Sequence, residues 1–118
     1  MEQLMNWIPL ISEDQLLEIK QASQEQPVII FKHSTSCSTS AMVLDRLERK
    51  WRGDEIGDLP IYFLDLLRYR SISDQISIDF DLHHESPQVL VIEGGSVTYH
   101  DSHFDIDYQV LLAYLQED

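Results

Sequence analysis

Three short apolar runs, separated by stretches with helical periodicity, constrain the fold of this chain most strongly. The runs lie at residues 28–31, 61–66 and 89–92, and the first of them is rich in β-branched residues. Apolar runs of this length are typical of strands that are buried on both faces of a parallel sheet. Their alternation with helices predicts an α/β fold with helices on both faces of the sheet.

Helical periodicity appears in four segments. They cover about residues 13–24, the stretch from Ala41 to Gly53, a short stretch from Ser71 or Ser73 to Phe80, and the stretch from about Asp105 onward. Ser12 and Gln15 have the spacing of a capping box, which predicts the start of the first helix. Pro27 ends that helix, and Gly53 is predicted to end the second.

A hairpin follows the third strand. Gly94-Gly95 is a tight-turn signal, and residues 97–100 are predicted to return as an antiparallel strand. The 118 residues fit one domain, 1–118, with the order α, β, α, β, α, β, β, α. This order predicts a thioredoxin-like fold, with a four-stranded mixed sheet flanked by helices.

The charge balance excludes some partners. Eight Lys and Arg residues against 21 Asp and Glu residues give a net charge of −13, which repels nucleic acid and anionic membrane surfaces. The first residues lack the basic and apolar regions of a signal peptide, and no run approaches the roughly 18 apolar residues of a membrane span. We therefore expect a cytoplasmic protein.

The chain has a single cysteine, Cys37, so an intramolecular disulfide is excluded. Cys37 falls where the first strand gives way to a helix, in a loop of Ser and Thr residues that includes Ser36. Unpaired backbone N–H groups and the helix dipole favour a thiolate at such a position. Ser40 occupies the second cysteine position of a Cys-x-x-Cys motif, where it could donate a hydrogen bond to the thiolate but could not resolve a mixed disulfide. An inert buried thiol is the alternative.

Pro87 precedes the third strand. An ordinary trans proline is permitted there. In the predicted fold, however, a cis-proline lies beside the reactive cysteine. We therefore expect the Ser86–Pro87 bond to be cis and the backbone of Ser86 to pair with an incoming substrate.

Five histidines do not have the spacing of metal ligands, so we expect no metal site. His33 and His84 are the histidines most favourably placed to support the Cys37 thiolate. Lys32, Arg68 and Arg70 could form a local basic patch that binds an anionic low-molecular-weight thiol, although solvated charges are an equal alternative.

Four motifs resemble the YtxJ-type monothiol bacilliredoxins of the bacillithiol system, and the resemblance extends from about Trp7 to the C-terminus. The motifs are His33-Ser34-Thr35-Ser36-Cys37-Ser38-Thr39-Ser40, Arg70-Ser71-Ile72-Ser73, His84-Glu85-Ser86-Pro87-Gln88 and Val97-Thr98-Tyr99-His100-Asp101-Ser102-His103. One departure is Ser36-Cys37-Ser38, where relatives often have Thr-Cys-Pro.

The resemblance implies a thiol-disulfide oxidoreductase that removes bacillithiol, or a similar small thiol, from mixed disulfides of client proteins. It implies that Cys37 is the nucleophile and Pro87 the cis-proline, with Arg70 and Lys32 attracting the anionic malyl group. Bacillithiol is then a co-substrate, and no cofactor is tightly bound. A redox sensor or covalent tether of the same fold is the main alternative, and a peroxidase is a third.

Overall fold

The computed structural model describes residues 6–116. It contains a five-stranded mixed sheet with the strand order β1-β3-β2-β4-β5. The strands are β1 (Ile8–Pro9), β2 (Val28–His33), β3 (Ile61–Asp65), β4 (Gln88–Glu93) and β5 (Ser96–Ser102). The helices are α1 (Asp14–Ala22), α2 (Ser38–Lys50), α3 (Gly53–Ile56), α4 (Arg70–Phe80) and α5 (Tyr108–Gln116), and a 3-10 turn covers His103–Asp105.

The central strand is β2, and all six of its residues are buried. It runs parallel to β3 and antiparallel to β4. The two-residue turn between β4 and β5 places Gly94 at φ 62° and Gly95 at φ 82°, a backbone conformation that suits glycine. The α/β fold, the mixed sheet and the hairpin predicted from the sequence are therefore confirmed.

Alternate residues of β2 face two separate hydrophobic cores. Ile29 and Phe31 pack with side chains of α2 and α5. Val28 and Ile30 pack on the opposite face with side chains of α1 and α4. Two covered faces explain why this strand is apolar almost throughout.

The predicted number of strands was one too low. Ile8–Pro9 form a two-residue parallel strand beside β3, and no sequence pattern marks so short a strand. Proline is tolerated there because β1 is at the edge of the sheet.

Several helix boundaries also differ from the predictions, and α2 begins at Ser38, three residues before the predicted start at Ala41. Only half of the capping box forms. Gln15 Oε1 accepts hydrogen bonds from the N–H groups of Ile11 and Ser12. The N-cap residue, however, is Glu13, and no side chain caps the helix. Gly53 begins the short helix α3, since α2 already ends at Lys50. The last helix begins at Tyr108, after the 3-10 turn.

One edge of the sheet gathers the segments that the sequence singled out. The carboxyl ends of β2 and β3 and the start of β4 meet there, since Lys32 is in register with Gln88 and His33 with Asp65. Ligands of open α/β sheets bind beyond the carboxyl ends of such strands. No helix within residues 6–116 is long and apolar enough to cross a membrane.

Candidate active site

Cys37 is the N-cap residue of α2, with extended backbone dihedrals of φ −112° and ψ 118°. Its N–H group donates to the carbonyl of Ser34 over 3.2 Å, which closes the turn after β2. The side chain is partly exposed and belongs to neither hydrophobic core. The cysteine therefore lies at the exposed start of a 13-residue helix, where the first N–H groups and the helix dipole favour an anion.

Ser40 is fully buried in the first turn of α2. Its hydroxyl makes contacts other than the hydrogen bond to Cys37 that the sequence predicted. Ser40 Oγ accepts a hydrogen bond from the N–H of Ser34 over 3.1 Å and lies 2.7 Å from Nδ1 of His33. Ser40 Oγ therefore makes two hydrogen bonds inside the protein, one to Ser34 and one to His33. The expected hydrogen bond from Ser40 to Cys37 is thus replaced by inward bonds to His33 and Ser34.

His33 is 7% exposed and packs beside aromatic rings. Its ring centroid lies 5.5 Å from that of Phe63. Burial lowers the pKa of His33 from 6.5, and the charges of Asp65 and Glu48 oppose this shift. A neutral His33 can accept the Ser40 proton at Nδ1.

The sequence interpretation missed Asp65. It ends β3 in register with His33, and its Oδ1 atom is buried without a hydrogen-bond partner. The available signal was its position at the carboxyl end of an apolar strand. Only the register of β2 with β3 identifies His33 as its neighbour.

The Ser86–Pro87 peptide bond is cis, as expected for this fold. The Pro87 carbonyl accepts a hydrogen bond from His103 N over 3.0 Å. Since β4 begins one residue later, opposite Lys32, the Ser86–Pro87 bond lies beside the end of β2, and Cys37 follows that end by four residues. Ser86 Oγ is buried and has no hydrogen-bond partner.

Lys32 is buried, so it cannot belong to the surface basic patch that the sequence predicted. Its side chain is 0% exposed, and burial lowers its pKa from 10.5 to about 8, against the opposing charges of Asp74 and Glu85. Its Nζ atom lies 2.8 Å from Nδ1 of His84. Lys32 is therefore positioned to act on a ligand through His84 and not by direct contact.

His84 is exposed on the loop that leads to Pro87. Burial of part of the ring is the largest cause that lowers the pKa of His84. The positive charge of Lys32 lowers it further, and that of Arg70 adds a smaller decrease. Arg70 is exposed at the first residue of α4 and remains available to an anion. Ser36 is also exposed, and its hydroxyl lies 3.3 Å from that of Ser34.

Glu85 connects the loop before Pro87 to the end of β5. Its carboxylate oxygens lie 3.3 Å from Nε2 of His103 and 3.6 Å from Nε2 of His83. The sequence interpretation did not anticipate this pair of contacts. Within residues 6–116, no group of three or more His, Cys, Asp or Glu residues is arranged to hold a metal ion.

Comparison with known protein families identifies the chain. The family described as "Monothiol bacilliredoxin BrxC" matches residues 8–111. The chain belongs to this family. The resemblance seen in the sequence motifs is therefore confirmed.

Solved structures similar to this bacilliredoxin have the thioredoxin fold. One, described as a candidate oxidoreductase with a thioredoxin fold, superposes with a TM-score of 0.76 at 28% identity, covering 92% of each chain. Thioredoxin of Malassezia sympodialis gives a TM-score of 0.75 at 14% identity, covering 99% of this chain and 94% of its own. Thioredoxin of Trypanosoma brucei brucei gives 0.73 at 12% identity, covering 97% and 91%.

Family membership and fold together support a thiol redox function for this bacilliredoxin. The chemistry available at the site agrees with that function. A thiolate is the nucleophile of thiol–disulfide exchange, and Cys37 is the only sulfur in the chain that can ionise.

Proposed function

We propose that this bacilliredoxin removes bacillithiol from mixed disulfides of client proteins through Cys37. The supporting observation is the placement of the only cysteine, which is partly exposed at the N-cap of α2, four residues after the end of the strand that pairs with the start of β4. A protein with one thiol cannot resolve a mixed disulfide internally. Its reaction must therefore end in transfer to an external thiol.

The reaction consists of two exchanges. The Cys37 thiolate attacks the bacillithiol sulfur of the client disulfide, the S–S bond to the client breaks, and the client leaves as a thiolate that takes up a proton. Cys37 is then disulfide-bonded to bacillithiol. A second low-molecular-weight thiol attacks that bacillithiol sulfur, and Cys37 leaves as a thiolate. Each exchange forms one S–S bond and breaks one, so no additional oxidant or reductant is consumed.

Several residues of the edge have proposed roles in binding. The backbone of Ser86 pairs with the extended client segment, which suits its position just before β4. Arg70, exposed at the start of α4, attracts the carboxylates of bacillithiol. Ser36 offers an exposed hydroxyl next to Cys37.

The test is release of client thiol from a bacillithiolated protein, followed with wild type, Cys37→Ala and Ser38→Ala. Ser38 is exposed at the first residue of α2, next to Cys37. Its alanine variant is the matched control because it changes a neighbouring serine and leaves the thiol in place. We expect release by wild type and Ser38→Ala and none by Cys37→Ala. A Cys37 that is alkylated faster than free cysteine at pH 7 but releases no client thiol would instead identify a redox sensor or tether.

A further inference from the structure

The contact between Lys32 and His84 is unusual because a fully buried ammonium is paired with a neutral ring. Lys32 Nζ lies 2.8 Å from His84 Nδ1, and the hydroxyl of the buried Ser73 lies 3.4 Å from the same nitrogen. An ammonium group has protons to donate and no lone pair to accept with. Two donors therefore converge on Nδ1.

A nitrogen that accepts these bonds carries no proton of its own. A neutral imidazole then has its proton on Nε2. The groups facing His84 are Lys32 of β2, the α4 residues Arg70, Ser73 and Asp74, and Glu85 of its own loop. The nearest positive charge, that of Lys32, opposes protonation of the ring.

We propose that buried Lys32 is a positioning residue that fixes the tautomer of His84, so that the Nε2–H group donates to a carboxylate of the small thiol on Cys37. This rests on the proposed function in one respect, namely the small thiol as ligand. The tautomer itself follows from the Lys32–His84 contact. Arg70 supplies the positive charge near the same ligand, and His84 supplies a directional donor.

The tautomer is tested by 15N NMR of the His84 ring in the full chain at pH 7.5. In wild type we expect an unprotonated Nδ1 and a protonated Nε2. In Lys32→Met, which keeps the length of the side chain without the ammonium, we expect a mixture of tautomers. A protonated Nδ1 in wild type, or an unchanged spectrum in Lys32→Met, would overturn the assignment.

Variants of the exposed His84 side chain test the donor, and because both also change the acceptor that faces buried Lys32, they are compared with each other as folded proteins. The amide nitrogen of glutamine can reach the position of Nε2, whereas that of asparagine reaches only the position of Nδ1. In the assay, Cys37 thiolate attacks bacillithiol disulfide, giving the Cys37–bacillithiol disulfide and one bacillithiol thiolate. Cystamine, which carries ammonium groups instead of carboxylates, is the control disulfide.

We expect His84→Asn to slow the reaction with bacillithiol disulfide about tenfold, the usual effect of losing a hydrogen bond to a charged group. His84→Gln is expected to stay near wild type, and neither variant should slow the reaction with cystamine. Equal losses in both variants, or equal losses with both disulfides, would contradict the donor role. A wild type that reacts with bacillithiol disulfide but not with bacillithiolated clients would refute the proposed function and leave this assignment intact.

Discussion

Ser40 Oγ lies 2.7 Å from Nδ1 of the buried His33, so the residue in the resolving-cysteine position is bonded into the protein interior. The same oxygen accepts the N–H of Ser34, which belongs to the loop that carries Cys37. The pair therefore ties the start of α2 to the end of β2. Its consequence is structural, because the hydroxyl of Ser40 is bonded to Ser34 and His33 and holds the loop in place.

Replacement of Ser40 with alanine is expected to destabilise the protein. Ser40→Ala leaves the N–H of Ser34 and Nδ1 of His33 without partners in a buried place, which costs about 1–3 kcal/mol. The measurement is the free energy of unfolding from urea titration, with the exposed Ser38→Ala as control, expected within about 0.5 kcal/mol of wild type. A Ser40→Ala protein as stable as that control would show that the bonds contribute nothing.

His33 makes stability depend on pH on the acid side. Its pKa is lowered in the folded protein, so between that value and 6.5 the unfolded chain binds a proton that the folded chain does not. The free energy of unfolding therefore falls as the pH drops below 6.5. In His33→Asn, which cannot protonate, the loss should be smaller, and the two proteins should converge in stability between pH 7.5 and 5.5. Parallel pH curves would contradict a buried neutral His33.

The sequence predicted those features of the fold that depend on local pattern. The apolar runs of β2 and β4 and the Gly94-Gly95 turn each determine structure through neighbouring residues, and all were placed correctly. Strand β1 was missed because two residues, one of them Pro9, carry no period and are ordered only by pairing with β3.

The sequence also predicted the position of Cys37 but not the contacts around it. Lys32 contacts His84, which is distant in the sequence, and Ser40 contacts His33 and Ser34 because its side chain points inward. Periodicity specifies neither a distant contact nor the direction of a single side chain. A lysine at the end of a strand is ordinarily solvated. Lys32 is buried because β2 is covered on both faces and its ammonium finds His84, 52 residues later.

Lys32 makes stability depend on pH on the alkaline side. The pKa of Lys32 is about 8 in the folded protein, and its ordinary value of 10.5 applies to the unfolded chain. Between these two values the unfolded chain keeps a proton that the folded chain has lost. The free energy of unfolding of wild type should increase between pH 8 and about 9.5, with a slope approaching about 1.4 kcal/mol per pH unit. Lys32→Met should lose this rise, and a variant with the wild-type slope would contradict the burial of a charged lysine.

Arg70 is expected to affect rate through charge. Arg70→Gln should slow the reaction of Cys37 with bacillithiol disulfide roughly two- to fivefold at low salt, the scale of an exposed charge pair. High salt should reduce the difference through screening. Lys50→Gln, at the far end of α2, is the charge-matched control and should react like wild type. Equal losses in both variants would indicate an effect of net charge alone.

The most direct test of the account is intact mass spectrometry of wild-type protein after it is mixed with a bacillithiolated client, without any added thiol. The account predicts that Cys37 gains the mass of one disulfide-bonded bacillithiol as the client loses it. If the client recovered its thiol while Cys37 carried no bacillithiol, or if Cys37 became linked to the client instead, transfer through this cysteine would be contradicted.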